Sequence, residues 1–252
     1  MIAFGLESHA STMKKEAVVN GSLFRRRSFM EGERVDDFAP TSVLIEQPPG
    51  AVLPAHFHRE NQFQVFVQGS GSIGKQPLAG CVVHYAGAYT GYGPIAAGPE
   101  GLSYFTLRAQ YDFGAGFLPA ARSAMLAGPK AHATSEAVAR DAQGSHALLG
   151  DAQGPLYAEQ LRLAAGEKTT LAECAWGQFV VVLEGTLTAA ERKLEAPEQL
   201  FFANEALALE AGDAGCHLLV LRIPPLDEAY AKAQRPGDEA FTTVSLRPQS
   251  AS

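Results

Sequence analysis

One spaced pattern occurs twice in this chain, and only its first copy carries histidines. Gly50-x5-His56-x-His58-x3-Gln62-x6-Gly69 returns as Gly166-x5-Ala172-x-Cys174-x3-Gln178-x6-Gly185. A second anchor repeats with it: Gly101-x6-Arg108, within GLSYFTLR, returns as Gly215-x6-Arg222, within GCHLLVLR. Self-similarity at a fixed spacing means tandem copies of one structural unit. The 252 residues therefore read as two modest domains, each long enough to bury an ordinary core. The asymmetry between the copies says where a site could be, and leaves its chemistry open.

Composition narrows the function classes. With 46% hydrophobic and 19% charged residues the chain has the make-up of a soluble globular protein. A net charge of −7 argues against nucleic acid or an anionic membrane as partner, because both reward clustered cations. Arg25-Arg26-Arg27 is a short basic run, read as a solvated or inter-subunit segment rather than an anion site. Cys81, Cys174 and Cys216 form no paired framework and no CxxC signature, so they read as free thiols in a reducing compartment. No basic segment leads into an apolar run at the N-terminus, so a secretory signal is not expected. No stretch approaches about 18 apolar residues, so no membrane span is expected either. The expected location is the cytoplasm.

Along the chain, residues 1–36 read as a polar leader with strand-like character around Ser22 to Met30. Short strands separated by Gly and Pro follow over 37–118: SVLIEQ, QFQVFVQG, CVVHY and SYFTLRA. Residues 119–152 are Ala-rich and read as a connector, with a helical turn or two in SEAVARDA. Strands resume over 153–225 with AEQLRLAAG, QFVVVLEGTLTA, QLFFA and CHLLVLRIP. A short helix in LDEAYAKAQR and a polar tail complete 226–252. Many short strands with frequent turns predict a sandwich or barrel in each unit, so the fold class is all-β.

These residues resemble the cupin family. Its first motif is Gly, five residues, His-x-His, three or four residues, Glu, six residues, Gly; this chain matches at Gly50, His56, His58 and Gly69, with Gln62 in the place of Glu. The family's second motif is a proline-glycine turn followed by His and then Asn. Sought in CVVHYAGAYTGYGPI, it departs from the pattern: Thr90 or Tyr92 falls where the His belongs, and His84 lies too early. The resemblance covers both units and implies a bicupin, two tandem jelly-roll β-sandwich or barrel domains joined by a short helical connector. The fold hosts many chemistries, so it does not fix the function.

His56 and His58, two apart on a strand, point to one face. Paired neutral imidazoles could hold one divalent ion, Fe, Mn, Ni, Cu or Zn, with Gln62 as a doubtful third ligand through its amide oxygen. No such ion is expected in the C-terminal domain. Gln178 occupies the Gln62 position in a copy whose histidines are Ala172 and Cys174, which favours a scaffold role for glutamine in both copies. Alternation puts Gln62, Gln64, Phe66 and Gln68 on the histidine face and Phe63, Val65 and Val67 on the other. In the second copy Gln178, Val180, Val182 and Glu184 take the inner positions. The first interior is thus wetter and the second better filled, which predicts a functional first unit and a structural second one. Gln64 and Tyr92 are candidate ligand-binding residues. Tyr104 reads as packing, Arg108 as structural because Arg222 repeats it, and His84 as a buried imidazole.

The function expected is a small-molecule site around His56 and His58. The resemblance implies a metal-dependent oxygenase or isomerase of a small organic compound. The alternative is a non-catalytic ligand-binding or structural bicupin with a relic, metal-free site. No residue reads as a general base, so enzymatic activity stays open. The apolar face of Phe63, Val65 and Val67 needs covering by the other barrel or by another subunit, and a homodimer is the expected assembly.

Overall fold

The structure, a computed structural model, describes residues 1–32, 38–111 and 114–232, together with the strand Leu246–Pro248. Two antiparallel sheets dominate, one for each copy of the repeat. In the first, neighbouring strands run Val82–Ala86, Gln62–Ile73, Ile95–Arg108, Thr41–Gln47, Ser22–Glu31 and Lys14–Val19. In the second, they run Gln199–Phe202, Gln178–Ala189, Leu207–Arg222, Tyr157–Leu163 and Gly144–Gly150. The fold is all-β, with a two-unit jelly-roll arrangement. Among the described residues no helix is long and apolar enough to cross a membrane.

The repeated glycines have a common steric cause. Gly69 and Gly185 both adopt left-handed backbone, φ 81° and 77°. A Cβ at Gly69 would stand 2.1 Å from the carbonyl oxygen of Gly101, and one at Gly185 would stand 2.2 Å from that of Gly215. Each copy therefore needs glycine where its two long central strands cross closely, because any side chain would collide with backbone. A β-bulge follows in both units: the pairing skips a residue between Ser103/Gln68 and Tyr104/Phe66, and again between Glu184/His217 and Val182/Leu218. The bulge reverses the alternation, so Gln68 and Glu184 are exposed rather than turned inward.

The leader does more than the sequence suggested. It contains the strands Ile2–Gly5, Lys14–Val19 and Ser22–Glu31 and a six-residue helix, Glu7–Thr12. Ile2–Gly5 crosses to the second sheet and pairs with Gln199–Phe202, while Leu246–Pro248 returns to the first sheet beside Lys14–Val19. Each sheet thus includes a strand from the far end of the chain.

The connector also differs from expectation. Its helical content is a single turn of 3-10 helix, Arg122–Ala124, and SEAVARDA is not helical. The competing force is the open edge of the strand Val82–Ala86. Ser135 N–H donates to the Val83 carbonyl (2.8 Å), Val83 N–H donates to Ser135 Oγ (3.0 Å), and Val138 N–H donates to the Cys81 carbonyl (2.7 Å). Pairing with an unsatisfied sheet edge outweighs weak local helix propensity. The helix in LDEAYAKAQR is present as Glu228–Ala231, capped by Asp227 accepting from Ala229 N–H. The polar tail falls outside the described residues apart from Leu246–Pro248.

The two sheets pack back to back. Phe29, Phe63, Val65, Phe105 and Leu107 of the first unit share one buried cluster with Phe179, Val181, Phe201, Leu219 and Leu221 of the second. The face of Phe63 and Val65 is therefore covered by the other barrel, the first of the two expected coverings. Polar links cross the same boundary: Ser42 Oγ donates to Gln199 Oε1 in full burial, and Asn61 Nδ2 donates to the carbonyls of Pro224 and Pro225, each at 3.0 Å. The interior of the second barrel is a separate apolar cluster that includes Val180, Val182, Leu187, Leu200, Phe202 and Leu218. Val180 and Val182 fill it as expected, whereas Ala172 is exposed and Cys174, though buried, lies outside this cluster.

A shared core couples the stabilities of the barrels. Phe105, packed edge-on against Phe29 at 5.1 Å, is fully buried, and Phe105→Ala should cost about 3–5 kcal/mol. The chain's one tryptophan, Trp176, lies in the other unit. Urea unfolding followed by Trp176 fluorescence should therefore shift to lower denaturant in Phe105→Ala. An unchanged midpoint at Trp176 would mean that the barrels unfold independently.

Candidate functional site

The inner face of the first sheet and the short strand His56–Phe57 enclose a cavity of about 330 Å³, within the size range of small-molecule sites. Every second residue of four adjacent strands faces it: Ala17 and Lys15; Phe24, Arg26 and Ser28; Thr41, Val43 and Ile45; and Tyr104, Thr106 and Arg108. His56, His58, Gln64 and Tyr92 complete the lining. The anticipated residues are thus brought together around one cavity, with Gln62 directly behind it, bonded to Tyr92 and Arg108.

A continuous polar network runs through the floor. His56 Nδ1 lies 2.7 Å from the carbonyl of Pro54; a carbonyl only accepts, so in the neutral ring Nδ1 carries the proton and Nε2 the lone pair. That lone pair meets the Tyr92 hydroxyl at 2.7 Å. The same hydroxyl accepts from Gln62 Nε2 at 2.5 Å, and Gln62 Oε1 accepts from Arg108 Nη2 at 2.5 Å. Arg108 Nη2 is 3.3 Å from both ring nitrogens of His58. An in-plane approach at equal distances would drive it into Cε1, so the guanidinium lies against the ring face. Arg108 is 2% exposed, and its Nη2 meets a neutral amide oxygen and an imidazole ring.

Several of these roles differ from the sequence reading. Arg108 was expected to be structural by analogy with Arg222. Arg222 does hold backbone, donating to the carbonyls of Ala152 and Gly154 at 2.8 and 3.0 Å, but Arg108 turns into the cavity instead. The two copies have diverged at a shared position. Glutamine has diverged likewise: Gln178 Nε2 donates to the backbone of Ala172 at 3.0 Å, whereas both ends of the Gln62 amide serve the cavity network.

Arg26 was read as part of a solvated run. Alternation on the strand sends Arg25 to Glu16 and Arg27 to Glu7 and Glu46 on one side, and Arg26 into the barrel on the other. The signal was present in Phe24-x-Arg26-x-Ser28.

The second motif also lies later than CVVHYAGAYTGYGPI. Pro99-x-Gly101 makes the turn inside the strand Ile95–Arg108, so Tyr104 takes the histidine's place and Arg108 the asparagine's. Tyr104 is fully buried, its hydroxyl has no hydrogen-bond partner, and it borders the cavity. Burial holds that phenol well above the usual range, with a smaller push from Tyr92, against the opposing pull of Arg26 and Arg108. Gln64 Oε1 is also buried without a partner on the wall.

His84 packs against the ring of Tyr92 at 5.6 Å and bonds Thr134 Oγ1 through Nδ1 at 2.8 Å. Burial first, and His132 second, lower its pKa to about 4, so it is a neutral buried imidazole, as expected.

Comparison with known proteins places the fold. No family model matches the sequence and no curated protein is similar to it in sequence. Solved structures do match. Oxalate decarboxylase from Lactobacillus farciminis, in a formate complex, aligns with a TM-score of 0.63 at 12% identity, over 89% of this chain and 87% of its own. HEPD from Streptomyces albus, with 2-hydroxyethylphosphonate and Fe(II) bound, aligns at 0.60 and 10% identity, over 88% and 76%. The bacterial pirin YhhW from Escherichia coli, in complex with nickel(II), aligns at 0.58 and 12% identity, over 90% and 100%. At such identities these likenesses establish the fold, a tandem pair of all-β jelly-roll units, and no more.

Two of those structures hold a metal, which raises the question of whether this chain's residues suit one. They do not. The His56 lone pair is engaged by Tyr92, the Gln62 oxygen by Arg108, and a guanidinium lies on the ring of His58. The place of the third histidine is taken by Tyr104, whose buried phenol keeps its proton. Among the described residues no group of three or more His, Cys, Asp or Glu is placed to hold an ion. A divalent cation held by His56, His58 and Gln62 would have neutral donors only, with the positive charge of Arg108 beside it.

Two outcomes test this description. Tyr92→Phe removes the hydroxyl that His56 Nε2 and Gln62 Nε2 share, at a cost of about 2 kcal/mol measurable by denaturant unfolding. For His84 the folded pKa of about 4 lies below the ordinary value of 6.5, so the unfolded chain binds the proton more readily. Its contribution is complete above pH 6.5 and declines as pH falls toward 4. His84→Gln should therefore show a smaller loss of melting temperature between pH 7 and pH 5 than the native protein; parallel losses would contradict a buried neutral His84.

Proposed function

We propose that the N-terminal barrel binds a small organic anion directly, with Arg108 supplying the positive charge at its floor, and that the C-terminal barrel is structural. The observation that carries this reading is the Arg108 guanidinium, buried on the cavity wall with Nη2 between the ring of His58 and the amide oxygen of Gln62. A cation on the wall of a buried cavity attracts an incoming anion, because low-dielectric surroundings strengthen the interaction. The polar wall supports the same reading: the Tyr104 hydroxyl and Gln64 Oε1 offer unused hydrogen-bonding capacity to a ligand. In this role His56, held by Pro54 and Tyr92, orients rather than ligates. The Tyr92–His56 pair is also a place where a proton could be held between a phenol oxygen and Nε2, should the bound compound undergo reaction.

A second reading keeps a metal-dependent oxygenase or isomerase with a divalent ion on His56, His58 and Gln62. The nickel and Fe(II) in structures of the same fold favour it; it requires Gln62 to leave Arg108.

The test combines metal analysis with calorimetry. After reconstitution with Fe, Mn, Ni, Cu or Zn, the native protein should retain well under one ion per chain. Hexanoate should bind, with Arg108→Gln weakening it tenfold or more and Arg108→Lys weakening it less. Stoichiometric metal that disappears in His56→Ala/His58→Ala, with carboxylate binding indifferent to Arg108, would establish the second reading instead.

A further inference from the structure

Two neighbouring polar groups on the cavity wall are buried without partners. Tyr104 and Gln64 are each 1% exposed and both border the cavity, and neither the Tyr104 hydroxyl nor Gln64 Oε1 has a hydrogen-bond partner. Buried polar atoms in that state are destabilising, and a native fold keeps few of them. Adjacent hydroxyls are committed elsewhere. Thr106, registered against Gln64, gives its hydroxyl to the Val43 carbonyl at 3.4 Å, and the Tyr92 hydroxyl is shared by His56 and Gln62.

The register brings the two groups together. Tyr104 pairs with Phe66 and Thr106 with Gln64, so Tyr104 and Gln64 are diagonal neighbours on adjacent strands, about 7–8 Å apart at the backbone. The ring of Phe66, 5.0 Å from that of Tyr104, steadies it. One small ligand group can therefore meet both. Gln64 Oε1 only accepts, so that group must donate; the Tyr104 phenol, kept protonated by its burial, donates to a group that accepts. A hydroxyl does both. A carboxylate has no proton to give the amide oxygen, and an ammonium has no lone pair for the phenol.

Building on the anion-binding reading above, we propose that the ligand is a hydroxylated organic acid, its hydroxyl seated between Gln64 and Tyr104 and its anionic group on Arg108. Gln64 stands two residues from Gln62, which holds Arg108, about 7 Å along the strand. The hydroxyl and the acid group therefore lie several bonds apart. A plain acid would leave the same two buried atoms unbonded, and a site built around a hydroxyl rejects the analogue without it for that reason.

The probes are straight-chain ω-hydroxy acids from 4-hydroxybutanoate to 8-hydroxyoctanoate, each beside the unsubstituted acid of the same carbon number. Isothermal titration of the native protein should find at least one length at which the hydroxy acid binds fivefold or more tighter than its plain counterpart. Tyr104→Phe and Gln64→Leu should each cut that ratio threefold or more, with the plain acid's Kd within twofold of native. Arg108→Gln should weaken both acids. If no length reaches fivefold while hexanoate binding still depends on Arg108, the hydroxyl site is wrong and the anion reading stands; the same holds if the preference survives either variant. If no acid of either kind binds the native protein, both readings are overturned. Because the Tyr104 hydroxyl has no partner in the fold, Tyr104→Phe should unfold in urea at or above the native midpoint. A lower midpoint would give that hydroxyl a structural role and overturn the inference.

Discussion

The two barrels share one apolar layer, and the rest of the molecule is arranged around it. Each sheet has an outer face too apolar to meet water, with Phe63 and Val65 on one side and Phe179 and Val181 on the other. Joining these faces solves both problems with a single interface. It also fixes the inner faces, since strand alternation sends every residue not committed to the shared layer toward its own barrel interior. What each interior then becomes is decided by a few positions. Where the second copy has Val180, Val182 and Leu218, the barrel closes on itself. Where the first has His56, His58, Gln64 and Arg108, it stays open and polar.

Arg108 is the feature that most sharply separates this interior from a metal centre. Removing a guanidinium from water is costly unless its surroundings compensate. Here Gln62 and His58 supply dipoles, while His56 and Tyr92 hold Gln62 in place. Groups that in a metal site would aim lone pairs at an ion instead support a cation that belongs to the chain itself. The change from Glu to Gln at position 62 fits this arrangement: its amide can donate to Tyr92 and accept from Arg108 at once, which a carboxylate cannot do.

The sequence disclosed a good deal of this and concealed the rest for identifiable reasons. The repeat, the two β-rich units, the inward histidines and the contrast between a polar and a filled interior follow from spacing and alternation. The role of Arg108 is hidden because its counterpart Arg222 holds a loop, and spacing alone does not distinguish two copies of one position. Arg26 was hidden by its neighbours: a run of like charges suggests a solvated patch, although strand geometry must turn the middle one away from the other two. Tyr104 is inconspicuous in the sequence because the proline-glycine turn that precedes it, Pro99-x-Gly101, lies inside a long strand, Ile95–Arg108. Helix was expected in SEAVARDA from local composition, and no local rule reveals that an open strand edge waits beside it.

The crossed terminal strands bear on how the protein is made. Ile2 pairs with Phe202, a separation of 202 − 2 = 200 residues. At about 5–20 residues per second of synthesis, Ile2–Gly5 emerges roughly 10–40 s before its partner strand exists. For that interval a short apolar segment is without its sheet, and the first barrel can form while its leading strand remains unpaired. The nascent chain therefore passes through a stage in which one unit is built and the beginning of the polypeptide is still waiting for the other, a stage at which a chaperone or a neighbouring nascent chain could capture it.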